Sequence, residues 1–109
     1  MPTYLHIGTY TRAGTRALRE AGGSPREAAV RAAVEGVGGS VDRIYWAFGG
    51  NRVYAIVELP DDVTATALNL AVNEAGALEL ETVALLSPRD MDRAGLQAAG
   101  YAPPGVDHA

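Results

Sequence analysis

Apolar and polar residues alternate along four segments of the chain, as they do in β-strands that present two different faces. These segments are residues 3–10, 40–48, 52–59 and 78–86. Successive side chains of a strand point to opposite faces, so the first segment contains two alternative sets. We predict that Leu5 and Ile7 face the helices and that Tyr4, His6 and Tyr10 lie on the opposite, open face.

The later segments supply the rest of both faces. The set predicted to share one face of its strands is Val53, Ala55, Val57, Leu59, Leu78, Leu80, Thr82 and Ala84. The set predicted to join Tyr4, His6 and Tyr10 on the open face is Tyr54, Ile56, Glu58, Glu79 and Glu81. The sequence does not decide which face of strand 40–48 meets the helices. Gly49-Gly50-Asn51 is typical of a hairpin turn between the second and third strands.

Two segments have helical spacing and recognisable start signals. Ser24-Pro25-Arg26-Glu27 has the pattern of a capping box, so we predict a helix from Pro25 to about Gly36 that Gly38-Gly39 ends. Asp61 and Asp62 cap a second predicted helix over about 62–75. The residues predicted to form stripes are Ala28, Ala29, Ala32, Ala33 and Val37 in the first helix and Val63, Ala67, Leu70, Ala71 and Glu74 in the second.

Shorter helices are predicted from Thr11 to Leu18 and from Ser87 to about Ala99. The main elements then follow the order β, α, β, β, α, β, which is the split βαβ arrangement of an α+β protein. We expect one four-stranded antiparallel sheet with helices on one face, a domain over residues 1–99 and an extended or disordered tail over 100–109.

The bulk composition narrows the classes of function. The 109 residues fit one domain, and the net charge of −4 argues against nucleic-acid binding. Cysteine is absent and there are two histidines, His6 and His108, so zinc–sulfur sites are excluded and a histidine metal site is not expected. No apolar run approaches a membrane span, and no signal peptide is visible, so we expect a cytoplasmic protein without membrane partners.

Several short motifs stand out along the chain: Met1-Pro2-Thr3-Tyr4, Gly38-Gly39, Tyr45-Trp46, Gly49 and Val57-Glu58-Leu59-Pro60-Asp61-Asp62. In these motifs the sequence resembles the GYD family of small bacterial proteins, and the resemblance spans about residues 1–90. The resemblance implies a ferredoxin-like fold of the dimeric α+β barrel type and hence a homo-oligomer, either a dimer or a hexamer built from dimers. It implies little about function, because the family is largely uncharacterised.

The motif that gives this family its name is altered here. Counted back from Pro60, the family's Gly-Tyr-Asp falls near Gly49, Asn51 and Arg52, with Gly50 between them. Asn51 and Arg52 thus stand where the motif has tyrosine and aspartate, which makes an acidic position basic. A role of the motif in relatives therefore does not transfer to this chain.

His6 is the sharpest candidate for chemistry, because histidine titrates near neutral pH. With Tyr54 or Glu81 beside it, it would serve as a general acid or base. The alternative is a histidine that is hydrogen-bonded on the sheet surface or at a subunit interface. Tyr54 and His6 are the candidate catalytic residues, and no cofactor or metal is expected.

The candidate ligand-binding residues are Tyr4, Trp46, Arg52 and Glu81. Trp46 has a ring for stacking on a planar ligand, Arg52 would bind a carboxylate or phosphate, and Glu81 would pair with Glu79 as two carboxylates. Each has a structural alternative: Trp46 fills the core or an interface, Arg52 is solvated, and the glutamates pair with arginines across strands.

Two classes of function follow from these residues. The first is a small oligomeric binding or regulatory module that takes a small molecule on the open face of the sheet. The second is a cofactor-independent monooxygenase, isomerase or cyclase acting on a small aromatic or polyketide-like substrate, an inference from fold analogy. Haem binding through His6 is a third hypothesis, with no other residue in its support.

Overall fold

The computed structural model describes residues 1–47 and 49–105. Its elements, in chain order, are β1 (Thr3–Tyr10), α1 (Arg12–Ala21), α2 (Gly23–Gly36), β2 (Ser40–Trp46), β3 (Arg52–Glu58), α3 (Asp62–Ala75), β4 (Leu78–Leu85) and α4 (Pro88–Leu96). The four strands form one antiparallel sheet in the order β2-β3-β1-β4. The predicted α+β, ferredoxin-like arrangement is therefore confirmed.

The core lies between one face of this sheet and the two longer helices, α2 and α3. Its buried side chains from the sheet include Tyr4, Ala55 and Val57, and those from the helices include Val34 and Leu68. We call the other side of the sheet the open face, since neither long helix covers it. The two faces thus have different environments, which decides what each candidate residue can do.

Most helix boundaries follow from local capping. Thr11, Asp61 and Ser87 each accept a hydrogen bond from a backbone amide in the first turn of α1, α3 and α4. The end of α2 is also as predicted, because Gly38 has a φ of 88° and its amide donates to the Glu35 carbonyl oxygen.

The predicted capping box of α2 is wrong. The structure starts α2 at Gly23, directly after Gly22, whose φ of 90° turns the chain out of α1, and no side chain caps the helix. Ser24 consequently lies inside the first turn, and Glu27 forms an ion pair with Arg31 at 3.1 Å instead of reaching back to the cap.

The predicted faces of β1 are also wrong. Tyr4, His6 and Tyr10 are buried against the helix side, whereas Leu5 and Ile7 lie half-buried on the open face. The faces of β3 and β4 were predicted correctly, since Ala55, Val57 and Leu78 are buried. Cross-strand neighbours share a face, so His6 lies between Ala55 and Thr82, and Ile7 lies between Tyr54 and Glu81.

A bulge in β2 settles which of its residues meet the helices. Register shifts between Val41 and Arg43, so the simple alternation of the strand is interrupted there. Val41 pairs with Val57, Ile44 with Ala55 and Trp46 with Val53. Val41, Ile44 and Trp46 therefore face the helices, and Tyr45 lies on the open face with 63% of its surface exposed.

The predicted helix stripes need correction as well. In α3, Val63 and Leu70 are 79% and 64% exposed, and the buried residues are Ala65 and Leu68. In α2, Val34 is buried and Val30 and Val37 pack against the core, while Ala28 and Ala32 are exposed. Core contacts are made by residues one position after a predicted one, namely Val30, Val34, Leu68 and Val72, and by Val37 as predicted.

The C-terminal part of the chain contributes little to the core. Every residue of α4 except Asp90 is exposed, and residues 101–105 form neither a helix nor a strand. His108 and the rest of 106–109 lie outside the described residues, so the division into a domain over 1–99 and a tail over 100–109 stays a prediction. No helix in the described ranges has the length and apolar character needed to cross a bilayer.

Candidate functional site

A cavity of about 100 Å³ lies between the helix side of the sheet and helices α2 and α3. Its lining is His6, Gly8, Tyr10, Arg26, Ala29, Val30, Ala33, Val34, Ile44, Val53, Ala55, Leu68, Val72, Leu78 and Leu80. We call it the His6 cavity. Ala29 and Ala33 are exposed residues of this lining, so the cavity opens to solvent beside α2. It takes a few waters, or part of a small organic molecule that extends through the opening, since an engineered cavity that holds benzene is larger, at roughly 150 Å³.

Gly8 lets two side chains of the cavity lining lie close to the backbone of β1. A Cβ at this position would come within 2.8 Å of Val53 Cγ1 and 3.1 Å of Leu78 Cδ1. The absence of a side chain in the middle of β1 therefore lets the neighbouring strands' side chains pack over it, next to His6.

His6 is the buried polar side chain of this region, with 7% of its surface exposed. Among the described residues its Nε2 has no hydrogen-bond partner. Burial lowers the pKa of His6 below its ordinary value of 6.5, because the low-dielectric surroundings disfavour the imidazolium. At neutral pH the ring is therefore uncharged, and Nε2 is available to a group that enters the cavity.

Arg26 supplies the charge at this cavity. It lies in the first turn of α2 and is the one Lys, Arg, Asp or Glu side chain in the described lining. Its neighbour Glu27 is already paired with Arg31. The lining therefore combines an apolar interior, one neutral imidazole and one guanidinium.

Two aromatic residues continue the polar end of the site. Tyr10 lines the cavity, and its hydroxyl accepts a hydrogen bond from Trp46 Nε1 at 3.3 Å. Trp46 lies under the start of α2, since a Cβ on Gly23 would be 3.9 Å from Trp46 Cζ3. Trp46 is the only tryptophan of the chain, so its fluorescence reports on this end of the site.

The structure does not bring the predicted catalytic residues together. His6 points to the helix side, whereas Tyr54 and Glu81 flank Ile7 on the open face. The sheet therefore separates them, and neither can assist His6 within one chain. The predicted combination of His6 with Tyr54 or Glu81 is wrong for this reason.

Tyr4 shares the helix side with His6 but belongs to a different groove. Its hydroxyl donates a hydrogen bond of 2.5 Å to Asp62 Oδ1, and this bond raises the pKa of Tyr4 to about 12. Asn69 Nδ2 donates to Thr82 Oγ1 at 3.0 Å along the same groove. Tyr4 thus fixes the start of α3 against β1, which is a structural role.

Arg52 and Glu81 lie together on the open face. They share a shallow, polar depression with Ile7, Thr9 and Glu79. No ion pair within 4 Å joins these charged groups in the described part of the chain, and no group of three or more His, Asp or Glu side chains there is arranged to hold a metal ion. The charged side chains of this depression are exposed to solvent, whereas His6 in its cavity is buried.

The chain matches the profile of one known domain family. The profile of the GYD domain matches residues 4–94. The chain belongs to the GYD domain family. No curated protein and no solved structure matches it significantly. Membership of the GYD family thus agrees with the resemblance found in the sequence and leaves the activity to be inferred from the site.

The altered motif of this GYD domain has a structural role at the hairpin. Asn51 Nδ2 donates to the Tyr10 carbonyl oxygen at 3.0 Å, and the Tyr10 amide donates to the Asn51 carbonyl oxygen at 2.8 Å. Gly49 has a φ of 74°, a backbone conformation that favours glycine in the turn. Asn51 therefore holds the hairpin against the end of β1, while the neighbouring Arg52 points to the open face.

Sequence reasoning found His6 and Trp46 in this GYD domain and placed Tyr10 on the same strand face as His6, but it named neither Tyr10 nor Arg26 as a site residue. A signal for Arg26 was present, because Arg26, Val30 and Val34 recur every four residues and so share one face of α2. For Tyr10 the signal was its shared strand face with His6. Arg26 becomes visible as a site residue only when the face of β1 that meets α2 is known.

Proposed function

We propose that this GYD-domain protein is a small-molecule binding or regulatory module whose ligand, a small and largely apolar molecule, enters the His6 cavity. The observation that supports this is the buried, unpaired Nε2 of His6 in a largely apolar lining. A buried polar atom without a partner costs about 1–3 kcal/mol. A ligand that hydrogen-bonds to Nε2 removes this cost, so the cavity favours a molecule with one polar group on an apolar body.

This proposal moves the ligand from the open face of the sheet to the helix side. The open-face residues predicted to bind a ligand, Arg52 and Glu81, are exposed to solvent. Hydrogen bonds and charges are weaker recognition elements there, because water competes for them. The cavity offers burial for an apolar body, and burial is the main source of affinity for small ligands.

The cofactor-independent enzyme is the second candidate. Its support is the neutral imidazole of His6, since an unprotonated Nε2 in an apolar cavity is able to accept a proton from a bound substrate. Tyr10, which lines the cavity, and Trp46, which donates a hydrogen bond to Tyr10, would then be the aromatic residues nearest the substrate, in place of Tyr54. His6 would act as the general base, and Tyr10 is the one other side chain in the described lining of a type that serves as a general acid or base.

Binding of phenol tests the proposed cavity site, because phenol combines an aromatic ring with one hydroxyl. We expect phenol to bind with a Kd in the millimolar range or below, measured by isothermal titration calorimetry and by Trp46 fluorescence. His6→Leu should weaken phenol binding by about fivefold, since one hydrogen bond contributes about 1 kcal/mol, and should leave benzene binding unchanged. Leu70→Ala, on the exposed side of α3, is the matched control. Absence of phenol binding to the wild type would contradict the proposal.

His6 should also make stability depend on pH. Its pKa is lowered in the folded state, so just below pH 6.5 the unfolded chain binds a proton that the folded chain does not. The stabilisation is therefore present above about pH 6.5 and is lost as pH falls, by at most about 1.4 kcal/mol per pH unit for one proton. Urea unfolding should show this loss in the wild type and a smaller one in His6→Leu. Identical pH profiles for the two proteins would show that burial of His6 has no such effect.

We further propose that the protein is a homo-oligomer, a dimer or a dimer-based hexamer, assembled through the open face. Leu5 lies there between Ile56 and Val83, and all three side chains are only half-buried in the single chain. An aliphatic row in the centre of an uncovered sheet is typical of an interface. Charges of both signs surround it, including Arg43, Glu58 and Arg52, which suits a two-fold contact of the face with itself.

A further inference from the structure

We propose that the ligand of the His6 cavity is a small carboxylic acid, whose carboxylate pairs with Arg26 while its apolar body reaches His6. This inference rests on the proposed binding function and adds the chemical class of the ligand. The polar side chains of the described lining are His6, Tyr10 and Arg26, and Arg26 is the charged one.

The guanidinium of Arg26 faces no competing acid at the cavity. The lining contains no Asp or Glu among the described residues. The nearest acid along the helix, Glu27, accepts both contacts from Arg31, at 3.3 Å from Nε and 3.1 Å from Nη2. An anion that enters the cavity would therefore not have to displace an existing partner of Arg26 within the lining.

The position of Arg26 in α2 adds to this preference. It lies in the first turn of the helix, where the unpaired backbone amides give a partial positive charge that favours anions. No acidic side chain lies in that first turn. A guanidinium also binds a carboxylate through two parallel hydrogen bonds, which makes this pair more specific than an ammonium contact.

Below Arg26 the cavity is apolar, so the rest of the ligand must be apolar too. Val30, Val34 and Ile44 form part of its walls, together with Val53 and Leu68 from the sheet and α3. A free inorganic anion would leave this volume unfilled. A phosphorylated or multiply charged ligand would bury charge without a second cation, since the described lining offers only Arg26.

The buried Nε2 of His6 gives the second contact. It is unpaired and more than nine-tenths of the side chain is buried, so a hydroxyl or carbonyl on the apolar body would satisfy it. A ligand with a carboxylate at one end and such a group on its body would use both Arg26 and His6. The hydroxybenzoates have this combination, and they are larger than the cavity, so their carboxylate would lie at its opening beside Arg26.

The affinities of matched probes, measured one at a time, test the inference. The 3- and 4-hydroxybenzoates and the corresponding hydroxybenzamides differ only in whether the end group is charged. We expect the better-fitting carboxylate to bind the wild-type protein at least about tenfold more tightly than its amide by isothermal titration calorimetry. Arg26→Met should abolish this preference while it leaves amide binding within about twofold. Arg26→Lys should restore part of it.

Arg19→Met is the matched control, because Arg19 is an exposed arginine of α1 outside the lining. It should keep the full preference for the carboxylate, and thermal unfolding would show whether each variant is folded. Equal affinities for carboxylate and amide, with phenol still bound, would overturn the carboxylate assignment alone. Absence of binding for phenol and for every probe would overturn both the assignment and the proposed function.

Discussion

Gly14→Ala is expected to destabilise the protein by about 3 kcal/mol or more, although alanine is the better helix former. Gly14 is the buried residue of α1. A Cβ added there would lie 1.7 Å from the Ala77 carbonyl oxygen, 2.7 Å from the Ala77 carbonyl carbon and 3.1 Å from Tyr10 Cδ1. Two of these atoms belong to the backbone, so a change of side-chain rotamer cannot relieve the contact.

The contact cannot open without breaking hydrogen bonds that hold α1 in place. The Thr11 amide donates to the Ala77 carbonyl oxygen at 3.1 Å, and the Thr11 hydroxyl lies 3.0 Å from the Gly76 carbonyl oxygen. Moving α1 away from the turn before β4 would lose these bonds and the burial of Tyr10. The cost therefore exceeds that of a simple increase in core volume.

Urea unfolding followed by Trp46 fluorescence measures this difference. Gly36→Ala, at the end of α2, is the matched control, because a Cβ there meets no atom within 4 Å. That variant should be unchanged or more stable by about 0.5 kcal/mol, the usual gain of alanine over glycine in a helix. A Gly14→Ala protein within 0.5 kcal/mol of the wild type would show that α1 does not pack this closely on the turn.

The order of strands and helices was predictable because each element carries a local signal. Alternation marks the strands, and Thr11, Asp61 and Ser87 mark helix starts by a mechanism that involves only nearby amides. The α2 start was predicted wrongly because Ser24 and Glu27 fit the same local rule, while a turn at Gly22 started the helix earlier. Local rules thus found the elements and failed where a neighbouring element changed the boundary.

The faces of β1 could not be assigned from hydrophobicity alone. Leu5 and Ile7 are more hydrophobic than Tyr4 and His6, and a soluble single chain would bury the aliphatic pair. In this sheet both faces carry apolar residues, so the usual contrast between an apolar and a polar face is lost. Tyr4 is buried because its hydroxyl finds Asp62, a partner that lies 58 residues further along the chain.

The candidate site was therefore predictable in its central residue and not in its location. His6 is notable because the chain has only two histidines, and it lines the cavity whose proposed role depends on it. Its neighbours follow from the face it occupies and from the packing of α2, neither of which the sequence determines. Because the faces of β1 are the reverse of those predicted, Leu5 and Ile7 lie on the open face, and their partial exposure there supports assembly through that face.

Leu5→Glu is expected to dissociate the proposed dimer. Leu5 lies between Ile56 and Val83 in the middle of the open face, so two sheets packed face to face would bury this position in both subunits. A carboxylate there would be desolvated without a partner and would appear twice in a symmetric interface. We expect the dissociation constant to rise by a factor of about 1000, which corresponds to ~4 kcal/mol.

Light scattering coupled to size-exclusion chromatography measures the outcome as mass. The wild type should have at least twice the mass of one chain, and Leu5→Glu should have the mass of a single chain. Leu70→Glu introduces the same charge at an apolar residue of α3 that is 64% exposed on the other side of the molecule, and it should assemble as the wild type does. A monomeric wild type, or a Leu5→Glu variant of unchanged mass, would contradict assembly through the open face. Because Leu5 and His6 point to opposite sides of β1, loss of the dimer should leave phenol binding in the His6 cavity intact, so that assembly and ligand binding can be tested separately.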